Sequence, residues 1–268
     1  MARPSKRITL SIILPAYNEQ DRLPPYLTSI TRYLSQRGDP YEIVVVDDGS
    51  RDETAERVRQ FAVDAPVIRL IQLEHNSGKG AAVRAGMLAA QGTLRLMTDA
   101  DGATPIQEIE RLKHALSQDN DLAIGSRFLG SRDNRYRVQA RWHRTVLGNA
   151  FNRMAQRLGL EGITDTQCGF KLFRKRVAED LFSVARIDGY GFDLELLYVA
   201  LRRNYRIAEI PINWTDQPGS KVHVIRDGLR MCRELLAVHR HAAQGSYQRR
   251  ESPDSLHELR QAAESHTY

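Results

Sequence analysis

The sequence predicts a single-domain α/β protein with a mostly parallel central sheet flanked by helices. Three observations lead there. Short aliphatic and β-branched runs recur at Leu10–Leu14, Ile43–Val46, Val67–Ile71, Leu94–Met97 and Leu122–Ile124, as in strands buried on both faces. Between them lie segments with helical periodicity, which makes the pattern one of repeated βαβ units with right-handed crossovers. At 268 residues, 41% hydrophobic and 27% charged, the chain suits one large globular domain rather than two small ones or a disordered polymer.

Each element has its own signature. The first strand stops at Pro15-Ala16-Tyr17-Asn18-Glu19. A helix over about 19–36 then carries Leu23, Leu27, Ile30 and Leu34 on one face, and Gly38-Asp39-Pro40 breaks it. The second strand runs 42–47, and Asp48-Gly49-Ser50-Arg51-Asp52 turns the chain into a helix through Arg59. A third strand, 67–71, leads to Asn76-Ser77-Gly78-Lys79-Gly80 and a helix to Ala90. The fourth, 93–97, runs into Asp99-Ala100-Asp101-Gly102, and Pro105 opens a helix to Ser117. The fifth, 122–125, ends at Ser126-Arg127. The basic run Arg132–Arg144 is expected as a solvated loop, followed by a helix to Leu158. Residues 164–173 mix polar and apolar positions like a strand lining a site, 192–203 reads as a helix and 206–214 as a strand. The domain is expected over 1–245, in halves of about 8–127 and 128–240, with a polar tail over 246–268.

Charge and cysteine usage narrow the partners. A net charge of +6 favours anions, whether nucleotides, phosphates or an acidic membrane surface. Nucleic acid is the weakest of these, because no zinc-finger, ribonucleoprotein or recognition-helix signature is present. Cys168 and Cys232 are too few for a disulfide framework or a metal cluster and fit a reducing cytosol. The apolar run after the basic start stops at Pro15, too short for a signal peptide. No stretch approaches the 18 consecutive apolar residues of a membrane-spanning helix.

Asp99-Ala100-Asp101 at a strand end sets two hard oxygen ligands near one point. That suits Mg²⁺ or Mn²⁺, which can in turn bind a diphosphate; the competing reading is an Asx-rich turn capping the next helix. Two phosphate fingerprints are missing. Pro15–Glu19 stands where Gly-x-Gly-x-x-Gly would follow the first strand, and Gly80 stands where a P-loop needs Ser or Thr.

Pro15-Ala16-Tyr17-Asn18-Glu19, Val46-Asp47-Asp48-Gly49-Ser50 and Asp99-Ala100-Asp101, at these spacings, resemble glycosyltransferase family 2, the inverting sugar transferases with the GT-A fold. Asn76–Gly80, Asp165-Thr166-Gln167-Cys168-Gly169-Phe170-Lys171-Leu172-Phe173, and Asn213-Trp214 with Gly219-Ser220-Lys221 look most like its dolichyl-phosphate β-glucosyltransferase and polyprenyl-phosphate subgroup. The likeness covers about residues 8–240. It implies that Pro15, Tyr17 and Glu19 line the base and ribose of a UDP-sugar, and that Asp47 accepts from the uracil imide N–H. Lys79 would reach the diphosphate, and Asp99, Ala100 and Asp101 would complete the donor site, with Asp101 and Asp99 as metal ligands. Ala103 stands where many relatives have Gln, which leaves the other metal ligands open. Arg127, Arg144 and Lys221 would hold the acceptor phosphate.

Asp101, Arg127 and Asp165 are the expected catalytic residues. Asp165 would orient a phosphate acceptor, or act as base toward a hydroxyl. The implied reaction moves a sugar, glucose by the subgroup likeness, from a UDP-sugar to a polyprenyl or dolichyl phosphate. Two competing readings stay open: a soluble UDP-sugar transferase with a small hydroxyl acceptor, and a nucleotidyltransferase, although the latter's Gly-rich loop is missing. A helix over Val224–Arg240 has Ile225, Leu229, Cys232, Leu235, Leu236 and His239 near one face, with Arg226, Arg230, Arg233 and Arg240 around the others. It fits either a helix lying in a membrane interface or an apolar stripe packed on the domain. The expected location is cytoplasmic, peripheral on the membrane face.

Overall fold

The β-branched runs pair as their composition requires, in a computed structural model that describes residues 7–139, 156, 159–218 and 224–248. Strands β1 (Leu10–Ala16), β2 (Tyr41–Asp47), β3 (Ile68–Gln72) and β4 (Leu94–Thr98) run parallel. Helices α1 (Leu23–Ser35), α2 (Thr54–Asp64) and α3 (Lys79–Ala89) join them. After β4 come a short 3₁₀ turn (Ile106–Glu108), α4 (Ile109–Ser117), β5 (Leu122–Ser126), α5 (Arg127–Ser131) and β6 (Val138–Gln139). The remaining described elements are β7 (Phe170–Arg174), α6 (Lys175–Val184), α7 (Phe192–Arg202), β8 (Ile207–Pro211), β9 (Trp214–Thr215) and α8 (Val224–Ala243).

The main sheet has seven strands in the order β3-β2-β1-β4-β7-β5-β8. Strand β7 lies antiparallel between β4 and β5, and β8 runs parallel to β5. Alternation along each strand feeds two core layers. Ile12, Leu14, Leu96 and Leu172 pack with Leu27 and Ile30 of α1 and Leu112 of α4. Ile13, Met97 and Phe173 face the other way, onto Met87 of α3, Leu181 of α6 and Leu197 of α7.

Four expectations shift for local reasons. The first helix begins at Leu23 rather than Glu19, because the amides of Glu19 and Gln20 donate to Thr54 Oγ1 (2.7 Å) and Asp52 Oδ2 (3.3 Å) across the next loop. The expected strand 164–173 is a turn that becomes β7 only at Phe170. The expected strand 206–214 is two: after β8 the side chain of Ile212 fills the space beside Gly125, whose Cβ would lie 2.7 Å from Ile212 Cδ1. Trp214 then joins a second, two-stranded sheet with β6. Helix α8 divides its apolar stripe: Leu235 is fully buried against the core and His239 stacks edge-on against Tyr198 at 5.1 Å, whereas Leu236 is 62% exposed. The side chains of Ile225, Leu229 and Cys232, the helix expected before Leu158 save Gln156, and the tail beyond residue 248 lie outside the described residues. The start of the tail is docked, with the Tyr247 hydroxyl donating to Glu195 at 2.7 Å. Among the described residues no helix is long and apolar enough to cross a membrane.

At the end of the sheet where β1, β2 and β4 begin, a buried polar knot fixes the register. The Ser11 hydroxyl donates to Glu42 Oε1 (2.5 Å) and accepts from the Gly92 amide (2.8 Å). Glu42 also accepts from the Gln91 amide (2.6 Å) and lies 3.4 Å from the Arg69 guanidinium. Glu42→Ala would leave these donors without their acceptor. Urea unfolding should show a loss of about 2–4 kcal/mol, with nucleotide affinity unchanged because the knot sits at the far end of the strands.

Candidate active site

Side-chain bonds tie the loops after β1 and β2 together beyond the carboxyl ends of the strands. Asn18 sits in the left-handed region (φ 52), its amide donating to Ser50 Oγ (2.8 Å) and its Oδ1 accepting from the Arg51 amide (2.7 Å). Asp47 is buried, and its carboxylate accepts from the Ser50 amide and Gln72 Nε2, both at 3.2 Å. Its neighbour Asp48 reaches the next loop, accepting from the amides of Ser77 (2.7 Å) and Gly78 (2.9 Å). Gly78 has φ 112, and a Cβ there would meet the Asp188 carbonyl at 2.4 Å, so this turn admits only glycine. It delivers Lys79 to the first turn of α3.

At the end of β4 the Asp99 amide donates to the Gly169 carbonyl (3.1 Å). A Cβ on Gly169 would stand 2.1 Å from Asp99 Oδ2, so a bare glycine is what lets the carboxylate occupy its position. Lys79 Nζ pairs with Asp99 Oδ1 at 2.6 Å. Burial works against the ammonium, but Asp99, then Asp193, outweigh it and raise its pKa. Asp101 Oδ1 accepts from the Ala103 amide (3.0 Å), and Oδ2 lies 3.9 Å from Arg22. Burial and the Asp99 charge hold the Asp101 carboxyl above its ordinary value. Beneath the motif, buried Tyr26 binds the Thr98 hydroxyl and the Thr104 carbonyl, each at 3.0 Å. Arg22 clasps Glu19 at 2.7 and 2.5 Å.

These groups surround a cavity of ≈ 430 Å³. Pro15, Tyr17, Glu19, Lys79, Asp99, Ala100 and Asp101 line it, as does Asp48; Asp47 stands behind that wall. Asp99 and Asp101 are hard oxygen donors at one mouth, and Asp101's raised pKa marks a carboxylate short of positive charge, so the pair fits a divalent cation. No group of three or more His, Cys, Asp or Glu joins them among the described residues, so water and substrate oxygens would complete the shell.

Beside the cavity the Asp165 carboxylate is held by Arg127 three times: by the amide (2.9 Å), by Nε (2.8 Å) and by Nη2 (2.8 Å). Glu209 of β8 fixes the turn before it, accepting from the Thr164 and Asp165 amides at 2.9 and 2.8 Å. Burial alone would raise the Asp165 pKa, but Arg127 holds it below the usual carboxylate value. Arg127 lies over the Trp214 ring at 5.5 Å. Its side chain is 34% exposed against 3% for Asp165, so the cation is what a ligand can reach. Cys168 is packed underneath, and burial, with the Asp165 charge, pushes its thiol up to about 12. It is no nucleophile at neutral pH. Arg144 and Lys221 lie outside the described residues.

The sequence gave no warning of a second buried pair. Lys171 donates to Asp193 Oδ1 and to the Cys168 carbonyl, both at 2.6 Å, with neither charged side chain more than 4% exposed. Burial raises the Asp193 pKa despite Lys171 and Lys79. A Lys in a mixed segment and an Asp in a helix's first turn carry no pairing signal singly. The expected membrane-face residue Arg230 instead lines the cavity, with Gly189 and Tyr190.

Comparison with known proteins agrees with this geometry. The model of glycosyl transferase family 2 matches residues 11–182. The dolichyl-phosphate beta-glucosyltransferase of Dictyostelium discoideum is 38% identical over 248 residues, 88% of this chain and 75% of that protein. The Homo sapiens protein of the same name is 37% identical over 246 residues, with the same coverage. In fold, the chain resembles the crystal structure of glucosyl-3-phosphoglycerate synthase from Mycobacterium tuberculosis bound to phosphoglyceric acid. The TM-score is 0.66 over 86% of this chain and 80% of that one, at 20% identity. The loop-to-loop bonding, the Asp99–Asp101 mouth and a match that spans every strand from β1 to β7 have one common explanation: this chain belongs to glycosyl transferase family 2.

Proposed function

We infer that this enzyme transfers glucose from UDP-glucose to a polyprenyl phosphate of the dolichyl class, in one inverting displacement. The names of its relatives support glucose and the lipid phosphate. A fold neighbour crystallised with Mn²⁺ and UDP-glucose supports the donor and a divalent ion. The observation that carries the acceptor half is the Arg127–Asp165 lock. A base for a hydroxyl acceptor needs a pKa near the working pH, and Asp165 is held in the opposite direction. A phosphate monoester, with a second pKa of about 6, is already largely ionised at pH 7 and needs positioning. Asp165 occupies two of Arg127's N–H groups, and a guanidinium has five. The others can grip a phosphate.

In this reading the uridine end meets Tyr17, Glu19 and the Asp47–Asp48 turn, and the diphosphate lies near Lys79. Asp99 and Asp101 would hold Mg²⁺ or Mn²⁺, which when bound supplies charge against that growing on the leaving UDP. Lys79 stabilises the same charge from the protein side. Arg127, on the Trp214 face, aligns the acceptor oxygen with the anomeric carbon. The acceptor approaches from the membrane side. There Leu236 of α8 is exposed, with Arg233 and Arg240 exposed on the same helix, and this combination suits peripheral contact with an anionic leaflet.

Three measurements test this. Calorimetry with Mg²⁺ or Mn²⁺ should show UDP bound more tightly than GDP, with affinity lost in EDTA, and Asp101→Ala should cut turnover by about a hundredfold or more. Equal, EDTA-insensitive affinities would overturn the donor assignment. Asp165→Asn should slow glucosyl transfer into organic-phase lipid about ten- to a hundredfold. The acidic limb of its pH–rate profile should not move between pH 5 and 8, because a depressed carboxyl is ionised throughout; loss of an ionisation near neutrality would mean a hydroxyl acceptor. Sedimentation with anionic vesicles should show salt-sensitive binding that Leu236→Glu weakens. That substitution is preferable to truncation before Val224, which would strip Leu235 and Val238 from the core.

A further inference from the structure

Helix α8 reaches the cavity at one point, and two glycines make that contact possible. Glu234 accepts from the Gly191 amide at 2.7 Å. A Cβ on Gly189 would lie 2.1 Å from Glu234 Oε1, and one on Gly191 would lie 2.7 Å from Oε2. Any side chain at either place would expel the carboxylate. Glu234 in turn accepts from Arg230 Nε at 3.0 Å, and the same Nε would be 3.1 Å from a Cβ on Gly189. Arg230 is thus laid along bare backbone with its guanidinium at the cavity wall. An exposed i,i+4 ion pair is ordinarily worth little. This one differs because Glu234 is only 14% exposed and also braces the loop 188–191.

That loop bears directly on Lys79. The Asp188 carbonyl accepts from the amides of Gly80 (2.7 Å) and Ala81 (3.3 Å) in the first turn of α3. Those amides are therefore engaged, and a diphosphate beside α3 must find its positive charge in side chains. On the wall, four carboxylates, Glu19, Asp48, Asp99 and Asp101, face three cations, Arg22, Lys79 and Arg230. Arg22 is clasped by Glu19 and Lys79 is paired with Asp99. Arg230 is 59% exposed and anchored through Nε, which leaves the terminal edge of its fork directed at a ligand.

We propose that Arg230 is a contact for the terminal phosphate of the nucleoside diphosphate, with Glu234 the positioning residue that aims it. The inference rests on the donor reading above and adds a second cation, brought by the helix after β9, to the leaving-group side. Its consequence is that the last described helix and α3 close on the same phosphate. The helix links donor occupancy to the segment that carries Leu236 outward.

The test compares UDP and UMP binding by calorimetry, with Mg²⁺, in the wild-type chain and in Arg230→Gln, Arg230→Lys, Glu234→Gln and Glu234→Ala. Arg230→Gln should weaken UDP about tenfold, as expected for a lost charge-assisted hydrogen bond, while UMP changes less than about twofold. Arg230→Lys should restore part of the loss. Glu234→Ala should reproduce the UDP-specific loss, and Glu234→Gln, which can still accept from Gly191, should lie between. Thermal unfolding of Arg230→Gln should match wild type, since the side chain is largely in solvent. Unchanged UDP affinity in Arg230→Gln, or equal losses for UDP and UMP, overturns the proposal while leaving the donor reading intact. A wild-type chain that binds no UDP overturns the donor reading and this proposal together.

Discussion

Lys79 and Asp99 meet across the mouth of the crevice, and the other charges of the site are arranged around that pair. Asp99 stands where it does because Gly169 has no side chain; Lys79 stands where it does because Gly78 takes a backbone conformation other residues avoid. From there the signs alternate inward. Asp193 contributes to the field on Lys79 and is itself bonded to Lys171. Lys171 contributes to the field on Asp165, which is locked to Arg127. Removing one member of a buried pair leaves its partner uncompensated, at a cost of about 3–5 kcal/mol. The row of charges is therefore a framework as much as a chemical apparatus. It joins the strand ends of the nucleotide half to the turn that presents Arg127.

The strands of the first half were legible because they are buried on both faces, and burial leaves an uninterrupted run of Ile, Val and Leu in the sequence. Asp99-Ala100-Asp101 was legible because three motifs at fixed spacing reinforce one another. The antiparallel insertion of β7 was not, since Phe170–Arg174 alternates between two cores and buries Lys171, a residue that reads as surface. Asp193 looked like a helix's first-turn acid, which it also is. Asp48 looked like a turn residue, and that is its work here: it ties two loops by their amides instead of offering a bare carboxylate. Arg230 was assigned to a solvated face because helical periodicity describes which side of a helix is apolar, not which loop the polar side meets. Long-range glycine contacts such as Gly189 and Gly191 with Glu234 leave no periodic trace.

The family model ends at residue 182, yet Trp214, Glu209, Asp193 and the α8 residues all come later. The donor half is thus built of what the whole family shares. The stretch where the acceptor is handled depends on the closer relatives, whose likeness spans most of the chain. The division matches the physics: a nucleotide presents the same base, ribose and phosphates to each enzyme that uses it, whereas acceptors differ.

The order of strands in the sheet also governs how the chain comes into being. β1 to β4 find one another in sequence, each beside a neighbour already made or next to be made, and can assemble as a parallel unit while synthesis continues. β5 cannot. Its two partners in the sheet, β7 and β8, both lie downstream, so Leu122–Ser126 leaves the ribosome as an aliphatic strand with both edges unpaired. It must wait through the basic segment until Phe170–Arg174 arrives to bridge it to β4. During that interval the nascent chain displays the kind of edge that invites pairing with another molecule. Arg127, set one residue past the end of that strand, takes its place only when the bridge closes.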